Sequence, residues 1–374
     1  MDIKSLFYES DKADNHARLP EPYIRNLYIN QIPFLNTIAL VAVVVAFTLL
    51  LAKNINADPK RQILNVSYDP TRELYRRINE EFVPLYQKQS GRHLEIKQSH
   101  GGSSRQAHAV AEGEQEADVV ALALPSDIDG LRKHGLIVDD WQRRLPNNSE
   151  PYSSTIVFVV RKGNPKRIRD WPDLIANGVE IITPDPRSSG NGKLSALAGW
   201  GAVLSRGGSE DEARGYLKSF YEHAAVLDQG ARASTITFAV ERIGDVHLIW
   251  ENEALREVAE NSDLEIVYPP VSILAEPAVA WIDANVARHG TFADAKAYLE
   301  FLFSDQAQDS IAEFGYRAVK QQSQAKFAGR FPPLNLFPVT ILAKGWSDAQ
   351  QKFFADDGVI NTVYRPKPRA VAVE

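Results

Sequence analysis

The run ILNVSYDPTRELYRRINEEFVPLYQKQSG, Ile63 to Gly91, holds a strand and a helix in direct succession. Its first part, ILNVSYD, is a short β-branched and aromatic run of strand character. Farther on, Leu74, Ile78 and Phe82 recur at four-residue spacing with Leu85 three later, which is one face of a helix, and Pro84 predicts a kink. The chain repeats this alternation. HLEIKQ leads to the helix-like QAHAVAEGE, ADVVALALP comes next, and VEIITPD, ITFAVERIGDVHLIWE, LEIVYPP and AEPAVAWID continue it. SSTIVFVVR, Ser153 to Arg161, is nearly continuous in apolar residues, as in a strand covered on both faces. From Thr291 the spacing becomes helical. The pattern predicts an α/β architecture with mainly parallel strands. Roughly 310 residues of it exceed what a single core holds, so two lobes are expected.

Composition narrows the function. The chain has 374 residues, 44% hydrophobic and 24% charged, an ordinary globular balance. A net charge of −6 offers no general attraction to a polyanion, so nucleic acid is not expected as a partner. Cysteine is absent, which removes disulfides, thiol nucleophiles and thiolate metal sites together.

Ahead of the alternating part lies IPFLNTIALVAVVVAFTLLLA, Ile32 to Ala52, about 31 Å if helical. It reads as an N-terminal hydrophobic helix, either an uncleaved transmembrane signal anchor or the core of a signal peptide cleaved near Ala57. Either reading exports the chain after about Lys53. Residues 1–31 carry both charge signs without apolar period and read as a mostly irregular cytoplasmic tail; 53–61 read as a linker.

In α/β sheets ligands gather at the carboxyl ends of strands, which directs attention to four loops. SYDPT places Asp69 before a helix that Pro70 can begin, the position of an N-cap. SHGGSSRQ, Ser99 to Gln106, offers Ser103 or Ser104 as a cap beside two glycines. PDPRSSGNGKLS, Pro184 to Ser195, enters a helix through a glycine and serine turn. LDQGARASTITF, Leu227 to Phe238, has Gly230 and Ala231, small enough for a ligand to reach the backbone. Each alone is a turn. Together they bring several small-residue loops to helix N-termini, where unpaired N–H groups and the positive dipole end attract an anion.

Rival chemistries fail on the same residues. A phosphate-binding P-loop needs a glycine where Arg187 stands and a hydroxyl where Leu194 stands. A serine hydrolase needs a G-x-S-x-G elbow, which does not occur. The eight histidines are scattered, with His100 and His108 lacking a third ligand nearby.

ILNVSYDPTRELY, QSHGGSSRQ, ADVVALALPSDID, PYSSTIVFVVRKGNPKRIRDWPDL, LDQGARASTITF and GDVHLIWENEA, in this order from about Ile63 to about Gly358, resemble the sulfate/thiosulfate-binding proteins of bacterial ABC importers. The resemblance implies a type II periplasmic-binding-protein fold, two α/β lobes joined by two crossover segments. Lobe one would comprise 62–155 plus 273–374, and lobe two 156–272. It further implies a periplasmic monomer, tethered if 32–52 is retained, that works without enzyme activity, cofactor or metal. Such a protein takes sulfate or thiosulfate and hands it to ABC permease subunits. The site residues it carries over are Asp69 and Ser103 from lobe one and Ser189, Gly190, Asn191, Ala231 and Trp250 from lobe two. Most would offer backbone N–H groups, Ser189 its hydroxyl and Trp250 its indole N–H. The sequence departs from the familiar form at SSGNGK, which is closer to SSGGAR elsewhere. Asn191 either donates only its main-chain N–H, so that the substitution is tolerated, or stands in a left-handed position, where Asn is the residue next best to glycine, or adds its side chain to the site. The alternative function carried by the same lobes is a membrane-tethered sulfate sensor.

Overall fold

The computed structural model describes residues 32–55 and 61–364, which fall in two separate units, 1–59 and 60–374. In the first, helix α1 (Ile32–Ile55) continues past the expected end at Ala52. Its described side chains, 37–49, are exposed and almost all apolar. Among the described residues no helix is long and apolar enough to cross a membrane, so the span expected of 32–52 is not met by them. The tail 1–31 and most of the linker lie outside the described residues.

The second unit contains two main sheets and two short two-stranded ones. In the first main sheet β1 (Arg61–Tyr68) lies between β2 (Leu94–Gly101) and β3 (Val119–Leu122) and is parallel to both. Between β1 and β2 runs α2 (Arg72–Ser90), which buries Leu74, Tyr75, Ile78, Phe82 and Tyr86 on one face, passes through Pro84 and stops at Gly91, whose φ of +72° favours glycine. Helices α3 (Ser103–Ala111) and α4 (Pro125–Lys133) follow β2 and β3.

The chain then enters the second sheet by way of β4 (Tyr152–Ser153). That sheet is ordered β7-β6-β8-β5-β9: β7 (Ala224–Asp228), β6 (Ile181–Pro184), β8 (Val246–Trp250), β5 (Ile156–Arg161) and β9 (Leu264–Val267). Ile156 through Val160 are all at most 1% exposed, as the apolar run predicts. The expectation of mainly parallel strands needs correction here. β5 is antiparallel to both β8 and β9, and β11 (Ala278–Trp281) returns antiparallel to β3. A strand that enters from one sheet and a strand that leaves for it run against their neighbours, because neither is reached through a crossover helix. The helices of this half are α5 (Gly190–Leu204), α6 (Glu210–Glu222), α7 (Ala231–Thr235) and α8 (Glu251–Glu260).

The two connections between sheets lie side by side. Ser154 and Ala275 exchange backbone hydrogen bonds of 3.0 and 2.9 Å, Thr155 Oγ1 donates to the Ile273 carbonyl at 2.7 Å, and Ser272 Oγ donates to the Ile156 carbonyl at 2.8 Å. Such a narrow paired strap is where two halves can pivot.

After Trp281 the chain covers the first sheet with helices, then crosses again. The expectation that 273–374 belongs wholly with the first sheet does not hold for its end. Phe337 inserts its ring against Gly201 of α5, where a Cβ would lie 2.1 Å from it. Phe353 packs edge-on to Trp200 at 5.1 Å, Tyr364 meets Tyr221 at 5.0 Å, and Lys352 bonds Glu210 at 2.6 Å. The apolar residues of this segment had no visible partner in the sequence because α5, which is buried nearly all round, shows no amphipathic stripe to match them.

Candidate functional site

Where β1, β2 and β8 end and α3, α5 and α7 begin, a small cavity of about 10 Å³ lies between the two halves. It is lined by Tyr68, Asp69, Pro70, Gly101, Gly102, Ser103, Ser189, Gly190, Asn191, Ala231 and Trp250. All seven residues singled out in the sequence therefore face one space.

Glycines let the halves meet around it. A Cβ on Gly190 would lie 2.3 Å from Ala123 Cβ, one on Gly102 2.4 Å from the Ser188 carbonyl, and one on Gly230 2.5 Å from Asp69 Oδ2. Each clash crosses from the first sheet's half to the second's, so small residues at all three points are what permits this closed arrangement.

The helix starts are left open toward the cavity. α3 is preceded by Gly102, α5 by Ser189 and α7 by Gly230, and none has a side-chain cap. The amides of their first turns are consequently unpaired and point outward, with the positive dipole end behind them. Ser189 Oγ makes no hydrogen bond among the described residues although Ser189 is 3% exposed. The indole N–H of the fully buried Trp250 is likewise without a protein partner there, while its ring packs on Tyr68 at 5.3 Å between centroids. The site is thus assembled from neutral donors.

Several expected roles change. Neither Ser103 nor Ser104 caps α3. Ser103 is its first residue, and its hydroxyl donates to Asp127 Oδ2 at 2.6 Å and accepts from the Ala123 N–H at 2.9 Å, leaving only its amide for the cavity. Ser104 Oγ reaches Asp127 Oδ1 at 3.3 Å. Asp69 is not an N-cap either: Tyr68 holds that place, and Asp69 opens the 3₁₀ turn Asp69–Thr71 with no side-chain cap. Burial pushes its carboxyl up from the usual range, opposed by Arg72, Arg232 and Arg105. Asn191 is helical, and no left-handed conformation is needed. Its amide is occupied with β8, Oδ1 accepting the Trp250 N–H at 3.1 Å and Nδ2 donating to the Leu248 carbonyl at 3.0 Å.

Arg72 lies 3.9 Å from the Asp69 carboxylate in the lining, and four other cations near the cavity are engaged outside it. Lys193 donates to Asp127 Oδ1 at 3.1 Å and Gln350 Oε1 at 2.9 Å. Arg232 bonds Glu73 and lies 2.6 Å from Glu253, Arg187 bonds Asp185, and Arg105 reaches Gln229 at 3.4 Å. None of the four lines the cavity. His100, next to the glycine pair, is a satisfied structural residue: Nδ1 lies 2.8 Å from Ser67 Oγ, and burial lowers its pKa to about 4. No group of three or more potential ligands for a metal occurs among the described residues. A larger groove of about 460 Å³ is lined in part by Asp127 and Lys193 themselves.

Sequence reading missed Tyr68, the floor beneath Trp250. Its position as the last aromatic of a strand, directly before Asp69, was the available signal.

Comparison with known proteins gives a consistent result. The profile of the bacterial extracellular solute-binding proteins matches residues 65–317. The sulfate-binding protein of Salmonella typhimurium is 46% identical over 322 residues, 85% of this chain and 98% of that protein. The thiosulfate-binding protein of Pseudomonas aeruginosa is 42% identical over 313 residues, 83% and 94%. Among solved structures, the sulfate-binding protein SubI from Mycobacterium tuberculosis H37Rv superposes with a TM-score of 0.72 at 31% identity, covering 79% of this chain and 99% of that one. The periplasmic binding protein AfuA from Actinobacillus pleuropneumoniae, at 17% identity and a TM-score of 0.61, shares the fold.

Proposed function

Because the chain belongs to the bacterial extracellular solute-binding proteins, in their sulfate/thiosulfate-binding branch, we propose that it captures sulfate between its two halves and delivers it to the permease subunits of an ABC importer. The observation that supports this reading is the cavity lined by open helix starts, with a serine hydroxyl and an indole N–H that have no partner among the described residues, and with Lys193, Arg232, Arg187 and Arg105 paired outside it.

The chemistry suits an anion without a proton. Sulfate near neutral pH is a dianion that only accepts hydrogen bonds, so a lining of donors satisfies it. Phosphate keeps a proton there and needs an acceptor, and an unpaired O–H in such a site costs about 1–3 kcal/mol. The Asp69 carboxylate is the one acid in the lining, and it is packed beneath Gly230. On this reading Asp69, Ser103, Gly190, Asn191 and Ala231 present amides, Ser189 its hydroxyl and Trp250 its indole. The side chain of Asn191, committed to β8, leaves selectivity unchanged. Thiosulfate, which keeps the tetrahedral shape and the charge, is accommodated by the same donors.

The anion would bridge donors from both halves and so favour the closed form, which the permease then meets. The moving bodies are the half built on 62–155 and the chain from 273 to about 334, and the half built on 156–272 with the end of the chain packed upon it. The protein acts as a monomer in the periplasm. Attachment to the inner membrane through 32–52 is supported by the apolar sequence of that segment.

Calorimetric titration of the purified chain with sulfate tests the proposal, with phosphate as competitor. Heat at low micromolar protein, undisturbed by an equal concentration of phosphate, is expected. No sulfate heat would overturn the reading. Trp250→Phe removes one donor to a charged acceptor and should weaken sulfate by about 1–3 kcal/mol. The mass of the mature chain extracted from membranes decides whether residues 32–52 are retained.

A further inference from the structure

Behind the cavity, on the second sheet's side, three polar residues are packed in a row with no access to solvent. His247 of β8 and Ser234 of α7 are 0% exposed, and Glu257 of α8 is 3% exposed. His247 Nε2 lies 2.9 Å from Ser234 Oγ, and Nδ1 lies 3.0 Å from Glu257 Oε2. Ser234 in turn holds the first turn of α7. Its Oγ donates to the Ala231 carbonyl at 2.8 Å and its N–H donates to the Gly230 carbonyl at 3.2 Å. Thr235 Oγ1 adds a longer bond to the Ala231 carbonyl at 3.2 Å. The Gly230 carbonyl and the Ala231 N–H belong to the same peptide, the one that faces the cavity.

Counting protons sets the direction of the row. A serine hydroxyl has one proton, and Ser234 spends it on Ala231. The 2.9 Å contact is then a hydrogen bond only if His247 Nε2 carries a proton. Nε2–H leaves Nδ1 facing Glu257 with one further proton between them, on the ring or on the carboxyl. In both placements the pair is neutral overall and Nε2 donates.

We propose that His247, held by Glu257, is a positioning residue for the anion site: it keeps the Ser234 hydroxyl on the Ala231 carbonyl and so fixes the first turn of α7, whose Ala231 N–H faces the cavity. The proposal rests on the reading of Ala231 as a donor to sulfate. With Nε2 bare, the only proton within reach would be that of Ser234, which would then leave the Ala231 carbonyl to satisfy the ring.

Other charges face the row from the neighbouring elements. Arg161 on β5 lies over the Phe238 ring at 3.9 Å and feels Glu257, together with Arg242 and Asp245. From α7 and α8, Arg232 and Glu253 are paired with each other.

The test is sulfate calorimetry on the full chain with Ser234→Ala, His247→Phe and His247→Gln. Ser234→Ala, and His247→Phe, which removes the donor to Ser234, should each weaken sulfate about 3- to 10-fold. His247→Gln keeps an N–H donor for Ser234 and should bind like the wild type. Imidazole ¹⁵N shifts of the sulfate-bound wild type, which need no variant to fold, should show His247 protonated at Nε2. An affinity unchanged in Ser234→Ala and His247→Phe, a loss in His247→Gln as large as in His247→Phe, or a bare Nε2 each overturns the positioning role while leaving sulfate binding intact. Absence of wild-type sulfate heat overturns the site reading instead.

Discussion

The cavity is flanked by two ion-pair groups that join the halves, and they differ in kind. On one side Asp127 of α4 meets Lys193 of α5, with side chains 6% and 4% exposed. Ser103, Ser104 and Gln350 complete the group, and the Phe354 ring lies 5.4 Å from the ammonium. On the other side Glu73 of α2 meets Arg232 of α7, joined by Glu253 and Arg256, with side chains other than that of Glu253 23–29% exposed. The dry group rests on one buried charge pair, and removing one member leaves the other charge with little water to turn to. The wetter group has redundant partners and solvent at its edge. The first is consequently a rigid part of the closed form, whereas the second is a clasp that solvent and salt can weaken.

The largest expected effect comes from breaking the dry pair on one side only. Asp127→Ala strands the Lys193 ammonium and releases the Ser103 hydroxyl that sets the start of α3. The closed form should lose about 3–5 kcal/mol, seen as a sharply weakened sulfate affinity. Replacing both charges, Asp127→Leu with Lys193→Met, should restore most of the loss, since no charge is then buried alone. If the single and double replacements bind alike, the pair is not what closes this flank.

The next effect is a pH slope on the wetter side. Burial, the largest influence, pushes Glu253 up to about 7 against the pull of Arg232 and Arg256, while the guanidinium of Arg232 beside the more open Glu73 outweighs burial and lowers that carboxyl. The folded state thus holds a proton on Glu253 where the unfolded chain, near 4.5, has lost it. Stability falls as pH rises from about 4.5 through about 7, by the order of ~1–3 kcal/mol. Glu253→Gln should remove this part of the slope, so that the variant gains on the wild type in thermal melts between about pH 5 and about pH 8. Parallel melting curves would mean the arginines already hold the carboxylate charged.

Gly190→Ala separates closure from both ion-pair groups. It removes no member of either group, and its methyl group would meet Ala123 first, across the halves, with Leu124 and Ser103 farther off. The isolated halves should melt as before, while sulfate affinity falls by about 1–3 kcal/mol, the usual range for overpacking a tight contact. Retained affinity would mean that the halves close differently around the ligand.

Much of the site was legible because its residues follow strands and start helices, two signals that local sequence carries. Gly102, Gly190 and Gly230 were visible as small residues, but their purpose was not, since the atoms they avoid come from distant segments. The same holds for Ser103, whose hydroxyl looked like a cap until Asp127, 24 residues on, claimed it. Nothing in the local sequence of Asp127 or Lys193 marks them as a pair. Only the meeting of two halves buries them. The antiparallel entry of β5 and the return of the chain end to α5 are likewise matters of topology, which alternation of strands and helices leaves open.

The smallest effect, and the one that completes the contrast between flanks, is Glu73→Gln. Arg232 keeps Glu253 at 2.6 Å, and water reaches the rest of the group. Losing one partner from a half-exposed cluster should therefore cost about 1 kcal/mol or less in sulfate affinity. Because solvent screens this side, the difference between variant and wild type should shrink further as salt is raised from about 0.01 M toward about 1 M, where the screening length falls from about 30 Å to about 3 Å. The Asp127→Ala deficit, arising in a place salt does not enter, should persist unchanged over that range. A salt-sensitive loss at Asp127, or a salt-independent one at Glu73, would reverse the assignment of the rigid and the yielding side.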